Sequence, residues 1–196
     1  HDTLSSNIKE MQQRQFQLKT KIESIESFIE NNEGFFDGAK AILNEKKKGN
    51  FEDVIGVIAE LITVDKKHEV AIDTLLQSTM QSIVTTNDKV AKECIAFLTK
   101  NKLGRATFLP VTMASVSKFT ALELQKIENT PGIALSTDSI TFSSEIEPVI
   151  MSKLGRSLIA DSLSDGLDFI KKTKIKARIS TVDGELIQSG AITGGA

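Results

Sequence analysis

The 196-residue chain contains no tryptophan and no tyrosine, one cysteine, two histidines and three prolines. Each scarcity removes a class of function. Few aromatic platforms remain for unpaired bases, so recognition of single-stranded nucleic acid by stacking is disfavoured. The lone Cys94 lies in a helix-like apolar run. It reads as a buried thiol rather than a nucleophile, and no disulfide framework forms within one chain. His1 is terminal and His68 isolated, which leaves neither a zinc cluster nor the paired histidine that a Ser-His-Asp triad requires. No apolar run approaches the roughly 20 residues that cross a bilayer, and the polar N-terminal stretch does not read as a signal peptide. A soluble chain in a reducing compartment, cytoplasmic and away from any membrane, is the expectation. Neither a G-x-x-x-x-G-K-[ST] loop nor a G-x-G-x-x-G turn occurs, and GAITGG (190 to 195) is followed by no helix whose dipole could hold phosphate. No catalytic residue, metal site or cofactor is expected.

What is present is a globular balance: 26% charged residues, 40% hydrophobic ones and a net charge of −2. The length suits one domain of roughly 150 residues plus an appendage. The appendage is residues 1–33. Leu4, Ile8, Met11, Gln15, Leu18, Ile22, Ile25 and Ile29 fall at alternating spacings of four and three, the a and d positions of four heptads, with Gln15 the one polar member. Neither Pro nor Gly interrupts this stretch, and Gln, Lys and Glu fill the other faces. A seam this narrow predicts a coiled-coil arm of about 45 Å at 1.5 Å per residue. The alternative is an amphipathic helix docked on its own domain. Asn31, Asn32 and Gly34 end the arm, and no heptads return after it, so its partner is another chain or sequence beyond this one; the segment reads as cut from something longer.

Helical and strand-like patterns interleave through the body, which predicts a mixed α/β fold. FFDGAKAIL (35 to 43) starts a helix that closes in NEKKKGN; FEDVIGVIAELITV (51 to 64) reads as strand then short helix. HEVAIDTLLQSTMQ (68 to 81) is a helix with Val70, Ile72, Leu75, Leu76 and Met80 inward, and SIVTT (82 to 86) a strand. Asn87 or Asp88 caps a helix burying Val90, Ala91, Cys94, Ile95 and Leu98. RATFLPV (105 to 111) is a strand that Pro110 confines to an end or edge. MASVSKFTALELQKIENT (113 to 130) has no single reading. EIEPVIMSKL is helical with Pro148 in its first turn, SLIA a strand, DSLSDGLDFIKK a capped helix, and KARISTVDGELIQSG a pair of strands around Asp183-Gly184.

Two echoes suggest two related lobes in one domain. Lys-Leu-Gly-Arg occurs at 102–105 and again at 153–156; more loosely, SIVTTNDKVAKECIAFLTK and SLIADSLSDGLDFIKK both pass from strand to amphipathic helix. Two places concentrate positive charge: Lys46, Lys47 and Lys48 near the root of the arm, and Lys171, Lys172, Lys174, Lys176 and Arg178, with no acid among 171–178. Each is a candidate for salt-sensitive, sequence-indifferent phosphate contact, against the alternative of solvated surface.

Taken in order, the heptad arm, GFFDGAKAIL, the helix before IVTT, GRATFLPV (104 to 111), PGIAL, KLGRSLIADSL and DGELIQSGAITGG resemble the hinge domain of SMC (structural maintenance of chromosomes) proteins, most closely the bacterial homodimeric kind. The likeness runs over residues 34–195. Gln77 with Ser78 departs from it, standing where such hinges often carry glycine.

The resemblance implies a dimerisation domain at 34–196, with lobes at approximately 50–111 and 112–196, and a ring-like homodimer in which each lobe meets the opposite lobe of the second copy. Gly190, Gly194 and Gly195 resemble the glycines at that junction. It also implies that residues 1–33 pair antiparallel with a helix beginning beyond Ala196, and that ATP is hydrolysed by heads at the far end of the arms, so the hinge itself is no enzyme. The function it implies is to join two arms of a chromosome condensation and segregation protein. Duplex DNA is an implied partner, with Lys46, Lys47, Lys48, Lys172, Lys174 and Lys176 as contact candidates. A homodimeric coiled-coil scaffold without a DNA role is the competing reading.

Overall fold

A computed structural model describes residues 2–30 and 35–195, with side chains in the first helix described from 7 to 28. Asn31, Asn32, Gly34 and Ala196 lie outside the described residues, as do the side chains of Leu4 and Ile29. Helix α1 (Asp2–Glu30) is the arm. Every side chain from 7 to 28 is exposed, Met11 to 73% and Leu18 and Ile22 to more than half. Among the described residues the seam from Ile8 to Ile25 packs against no part of its own chain, which speaks against the docked-helix alternative.

The body begins with α2 (Asp37–Lys47), β1 (Val54–Val57), α3 (Ile58–Leu61), β2 (Ile62–Val64), α4 (Glu69–Leu76), β3 (Ile83–Thr85), α5 (Asp88–Asn101) and β4 (Phe108–Pro110). It continues through α6 (Ala121–Glu128), β5 (Ile133–Leu135), β6 (Ile140–Phe142), α7 (Glu147–Leu154), β7 (Ser157–Ala160), α8 (Leu163–Thr173), β8 (Arg178–Thr181), β9 (Leu186–Gln188) and β10 (Ala191–Thr193). One three-stranded sheet has the order β1-β3-β4 and a five-stranded one the order β10-β9-β8-β7-β5. Pairing is the same in both: β1 and β5 run antiparallel to β3 and β7, which run parallel to β4 and β8 after the crossover helices α5 and α8. The leftover strands β2 and β6 pair antiparallel with each other, Thr63 opposite Thr141 at the middle of each, and so tie the two lobes together.

Of the two sequence echoes, this order supports the looser. The segment β3-α5 corresponds to β7-α8, and the helices end alike, Lys102 and Lys174 both capping in the left-handed region at φ 55° and 60°. The Lys-Leu-Gly-Arg identity is not part of the repeat. Its first copy sits between α5 and β4, whereas its second spans the last two residues of α7 and the turn before β7. Its two glycines also serve different ends: Gly104 supplies a φ of +84°, whereas a Cβ on Gly155 would stand 2.0 Å from the Ser117 carbonyl oxygen.

Three apolar clusters form the core. Ile42, Val54, Ile83, Cys94 and Leu98 fill the first lobe. Leu158, Phe169, Ile179 and Ile187 fill the second. A shared cluster brings Ile58, Ile72 and Leu75 against Ile146, Ile150 and Ile159. Burial of a side chain of this size contributes about 1.5–3 kcal/mol, so the shared cluster, with the β2–β6 ladder, welds the lobes. Two expected core residues face out: Val70 is 52% and Ile95 51% exposed. On α4 the buried stripe is Ala71, Ile72, Leu75 and Leu76, and on α5 it is Val90, Ala91, Cys94 and Leu98. Ile95 sits at the margin of its stripe, whereas Val70 lies on the opposite face of α4 from the buried one. Asn87 is the α5 cap, accepting from the Val90 N–H. Among the described residues no helix is long and apolar enough to cross a membrane.

Candidate functional site

The last strand leaves an edge open. β10 hydrogen-bonds to β9 on one side only, and all three of its residues are exposed, Ile192 to 54%. It is folded back by a two-residue turn, Ser189-Gly190, with φ of 50° and 78° between the paired Gln188 and Ala191. Two consecutive positive φ values are what the hairpin twist demands, and glycine meets that demand at least cost. Gly195 adopts φ +107° with open space around it, while a Cβ on Gly194 would lie 2.8 Å from Glu185 Cγ. The chain's own backbone and Glu185 thus account for part of why these three positions are glycine.

A second open edge lies on the other sheet. β4 pairs with β3 alone, and Pro110 at its end donates no N–H, as the sequence indicated. A 200 Å³ groove lined by Phe108, Leu109, Met113, Ala114 and Val149, and also by Ser152 and Lys153, runs beside it. Unpaired N–H and C=O groups flanked by apolar side chains are a template for another strand.

The lysines divide unevenly. Lys46 is no free cation, because its ammonium donates to the Val54 carbonyl. Lys48 is paired with Glu45 at 2.7 Å, and Asn50 donates to the same carboxylate. Hydrogen bonds from Lys48 and then Asn50 hold the Glu45 carboxyl below its usual range. Lys172, Lys174 and Lys176 are exposed around the end of α8. Arg178, expected in the same surface run, turns inward and donates to the carbonyls of Leu75 (3.0 Å) and Lys153 (2.6 Å) and to Ser157 Oγ (3.3 Å). Burial lowers its pKa from the ordinary arginine value.

The segment before α6, which has no single reading from sequence, carries a capping box at Thr120-x-x-Glu123: Thr120 Oγ1 accepts from the Glu123 N–H, and the Glu123 carboxylate accepts from the Thr120 N–H. Glu123 also takes two bonds from the Arg156 guanidinium, at 2.8 and 2.9 Å. These bonds hold its carboxyl down to about 2.

Known proteins give this geometry a context. Residues 51–170 match the model of the flexible hinge domain of SMC proteins. The chain belongs to the SMC hinge family. The chromosome partition protein Smc of Halothermothrix orenii is 39% identical over 166 residues, 83% of this chain and 14% of that protein. Its counterpart in Fusobacterium nucleatum is 35% identical over 98% of this chain and 16% of its own length. The chain therefore spans about one-seventh of these relatives. Among solved structures, the asymmetric dimer of the Geobacillus stearothermophilus SMC hinge domain superposes with a TM-score of 0.84 at 28% identity, covering 93% of this chain and 76% of that one. The two-lobed fold and long first helix are thus those of an SMC hinge, and a hinge is a mechanical module, not a catalytic one.

Proposed function

We propose that this chain is the homodimerisation hinge of a chromosome condensation and segregation ATPase, a condensin-type protein of the cytoplasm that acts on the chromosome. The observation that carries the reading is the pair of open edges on opposite lobes of a chain in the SMC hinge family. In the dimer the β10 edge of one copy runs beside the β4 edge of the other, and Ile192 enters the groove of Phe108, Leu109 and Met113. The two-fold operation repeats the contact, so both lobes are engaged and the ring closes. The hinge domain is taken as 34–196, with lobes near 50–111 and 112–196. Gly190, Gly194 and Gly195 flank the junction, where small residues let strands approach.

Residues 1–33 are the root of the arm, their exposed seam covered in the full-length protein by the returning helix of the same chain. ATP hydrolysis belongs to heads at the other ends of the two arms. Joining the arms at the hinge raises the effective concentration of one head at the other and so lowers the entropic cost of their engagement. Duplex DNA contacts the hinge through lysine, without sequence preference. The scaffold reading without DNA draws on one observation, that Lys46 and Lys48 at the arm's root are already engaged within the chain.

Sedimentation equilibrium tests the dimer. Two copies of the 21.4 kDa chain weigh about 43 kDa, and deletion of residues 1–30 should leave the assembly dimeric. Monomers at micromolar concentration after that deletion would move the interface to the arm. Binding of a labelled duplex at low salt separates the DNA reading from the scaffold.

A further inference from the structure

We infer that a basic trench on the second lobe, between α7, the start of β8 and the β9–β10 turn, is the seat of the nucleic-acid phosphate backbone, held by Lys153, Lys174 and Lys176. The inference rests on the reading that this hinge contacts DNA, and it gives that contact a place.

Two adjoining cavities of about 810 and 340 Å³ share Ser152, Lys153 and Arg178; Ser152 and Lys153 also line the β4 groove and Gly190 the larger cavity, so the trench borders the proposed junction. Lys153, Arg156, Lys174, Lys176 and Arg178 line the larger, and no carboxylate does. The five cations have two roles. Both guanidiniums are bound within the protein: Arg156 donates to Glu123 and to the carbonyls of Lys118 and Lys176, Arg178 to those of Leu75 and Lys153. They pin the backbones of two of the three lysines. The ammonium groups of Lys153, Lys174 and Lys176 have no hydrogen-bond or ion-pair partner among the described residues. Three unpaired cations on a fixed backbone, in a concave wall without acid, form an anion site organised before its ligand arrives.

Of the five non-glycine residues with positive φ among the described residues, Lys174 (60°) and Ser189 (50°) line the larger cavity and Gln77 (48°) the smaller. The hairpin turn accounts for Ser189 and the helix cap for Lys174, as the matching cap does for Lys102. Lys174 ends α8 where glycine or asparagine would serve at lower cost, and a lysine there projects its charge into the trench.

Phosphodiester backbone fits these walls better than a free nucleotide does. No aromatic side chain lines either cavity, so a base has nothing to stack on. Ammonium and serine hydroxyl groups instead offer donors to successive phosphates without reading sequence. The arm-root lysines compete poorly, since Lys46 and Lys48 are already engaged.

The test is anisotropy of a labelled random-sequence duplex, titrated with the whole chain across a range of salt. The triple variant Lys153→Gln, Lys174→Asn, Lys176→Gln keeps a residue suited to the left-handed position, and its fold and dimer mass are checked by circular dichroism and sedimentation. With about 0.9 per phosphate contact, the slope of log affinity against log salt should flatten by about 2.7, with at least a tenfold loss of affinity at low salt. A charge-matched control, Lys89→Gln, Lys92→Gln, Lys100→Gln on the exposed face of α5, should leave the slope unchanged. If the trench variant keeps the parent's slope, or the control or a Lys46, Lys47, Lys48 triple alanine variant flattens it equally, the placement is overturned while DNA contact stands. A parent that binds no duplex at low salt overturns both and leaves the dimer reading intact.

Discussion

Arg156→Ala should cost this hinge about 2–3 kcal/mol. The guanidinium donates to both oxygens of Glu123 at 2.8 and 2.9 Å, to Lys118 O at 3.0 Å and to Lys176 O at 2.8 and 3.2 Å, and its carbon lies 4.7 Å from the centre of the Phe119 ring. It thereby binds the segment leading into α6 to the β7 and β8 side of the second lobe. Charge-assisted bonds contribute about 1.5–3 kcal/mol and a stacked cation about 0.5–1. Because the Arg156 and Glu123 side chains remain 27% and 22% exposed, the lower part of those ranges applies. For a chain of this size the loss corresponds to a fall in Tm of roughly 4–12 °C. Arg156→Lys should recover less than half, since an ammonium cannot reproduce the two-pronged contact. Glu123 adds a pH signature. Hydrogen bonds from Arg156 hold its folded pKa down to about 2, below the value of about 4.3 for a free glutamate. Its contribution is complete above the unfolded value and fades as pH falls through the folded one, so the penalty of Glu123→Gln should be full at pH 7 and roughly halved at pH 3. Urea denaturation of parent and variants at the two pH values measures both. A cost below about 0.5 kcal/mol for Arg156→Ala, or a Glu123→Gln gap indifferent to pH, would refute the reasoning.

Gln77→Gly should stabilise the fold by about 1 kcal/mol: φ 48° and ψ −128° at Gln77 suit glycine, and the relief of strain outweighs the extra freedom gained by the unfolded chain; a lower urea midpoint contradicts this. Gly194→Leu should change monomer stability by less than about 1 kcal/mol, because the flexible Glu185 side chain can yield, yet raise the dimer dissociation constant at least tenfold. An unchanged dissociation constant removes Gly194 from the junction.

The long first helix, the Asn87 cap, the Asp183-Gly184 hairpin and the edge position of Pro110 were legible because each follows from local stereochemistry. The capping box at Thr120 was equally local and was missed because α6 has only eight residues and one fully buried side chain, Ile127, too little for periodicity to register. The repeat was half legible. Strand-then-helix order survives in pairing geometry, whereas an identical tetrapeptide can fall at unrelated points of two lobes. Charge was least legible. Whether a lysine meets solvent or a carbonyl depends on residues distant in the fold or round a turn, as Lys46 with Val54 and Arg178 with Leu75 illustrate. The trench draws on the same long-range placement, since Lys153 lies in the last turn of α7 and Lys174 caps the end of α8.

The most direct test of the dimer is complementation between two damaged edges. Met113→Asp places a charge beside the β4 edge and Ile192→Asp places one on β10, both at positions exposed in the single chain. Each variant alone carries one lesion at both junctions and should sediment as a monomer at micromolar concentration. An equimolar mixture recreates one undamaged junction per heterodimer and should regain the mass of two 21.4 kDa chains. Dimers in either variant alone, or a mixture that stays monomeric, would contradict a hinge closed by β4 against β10.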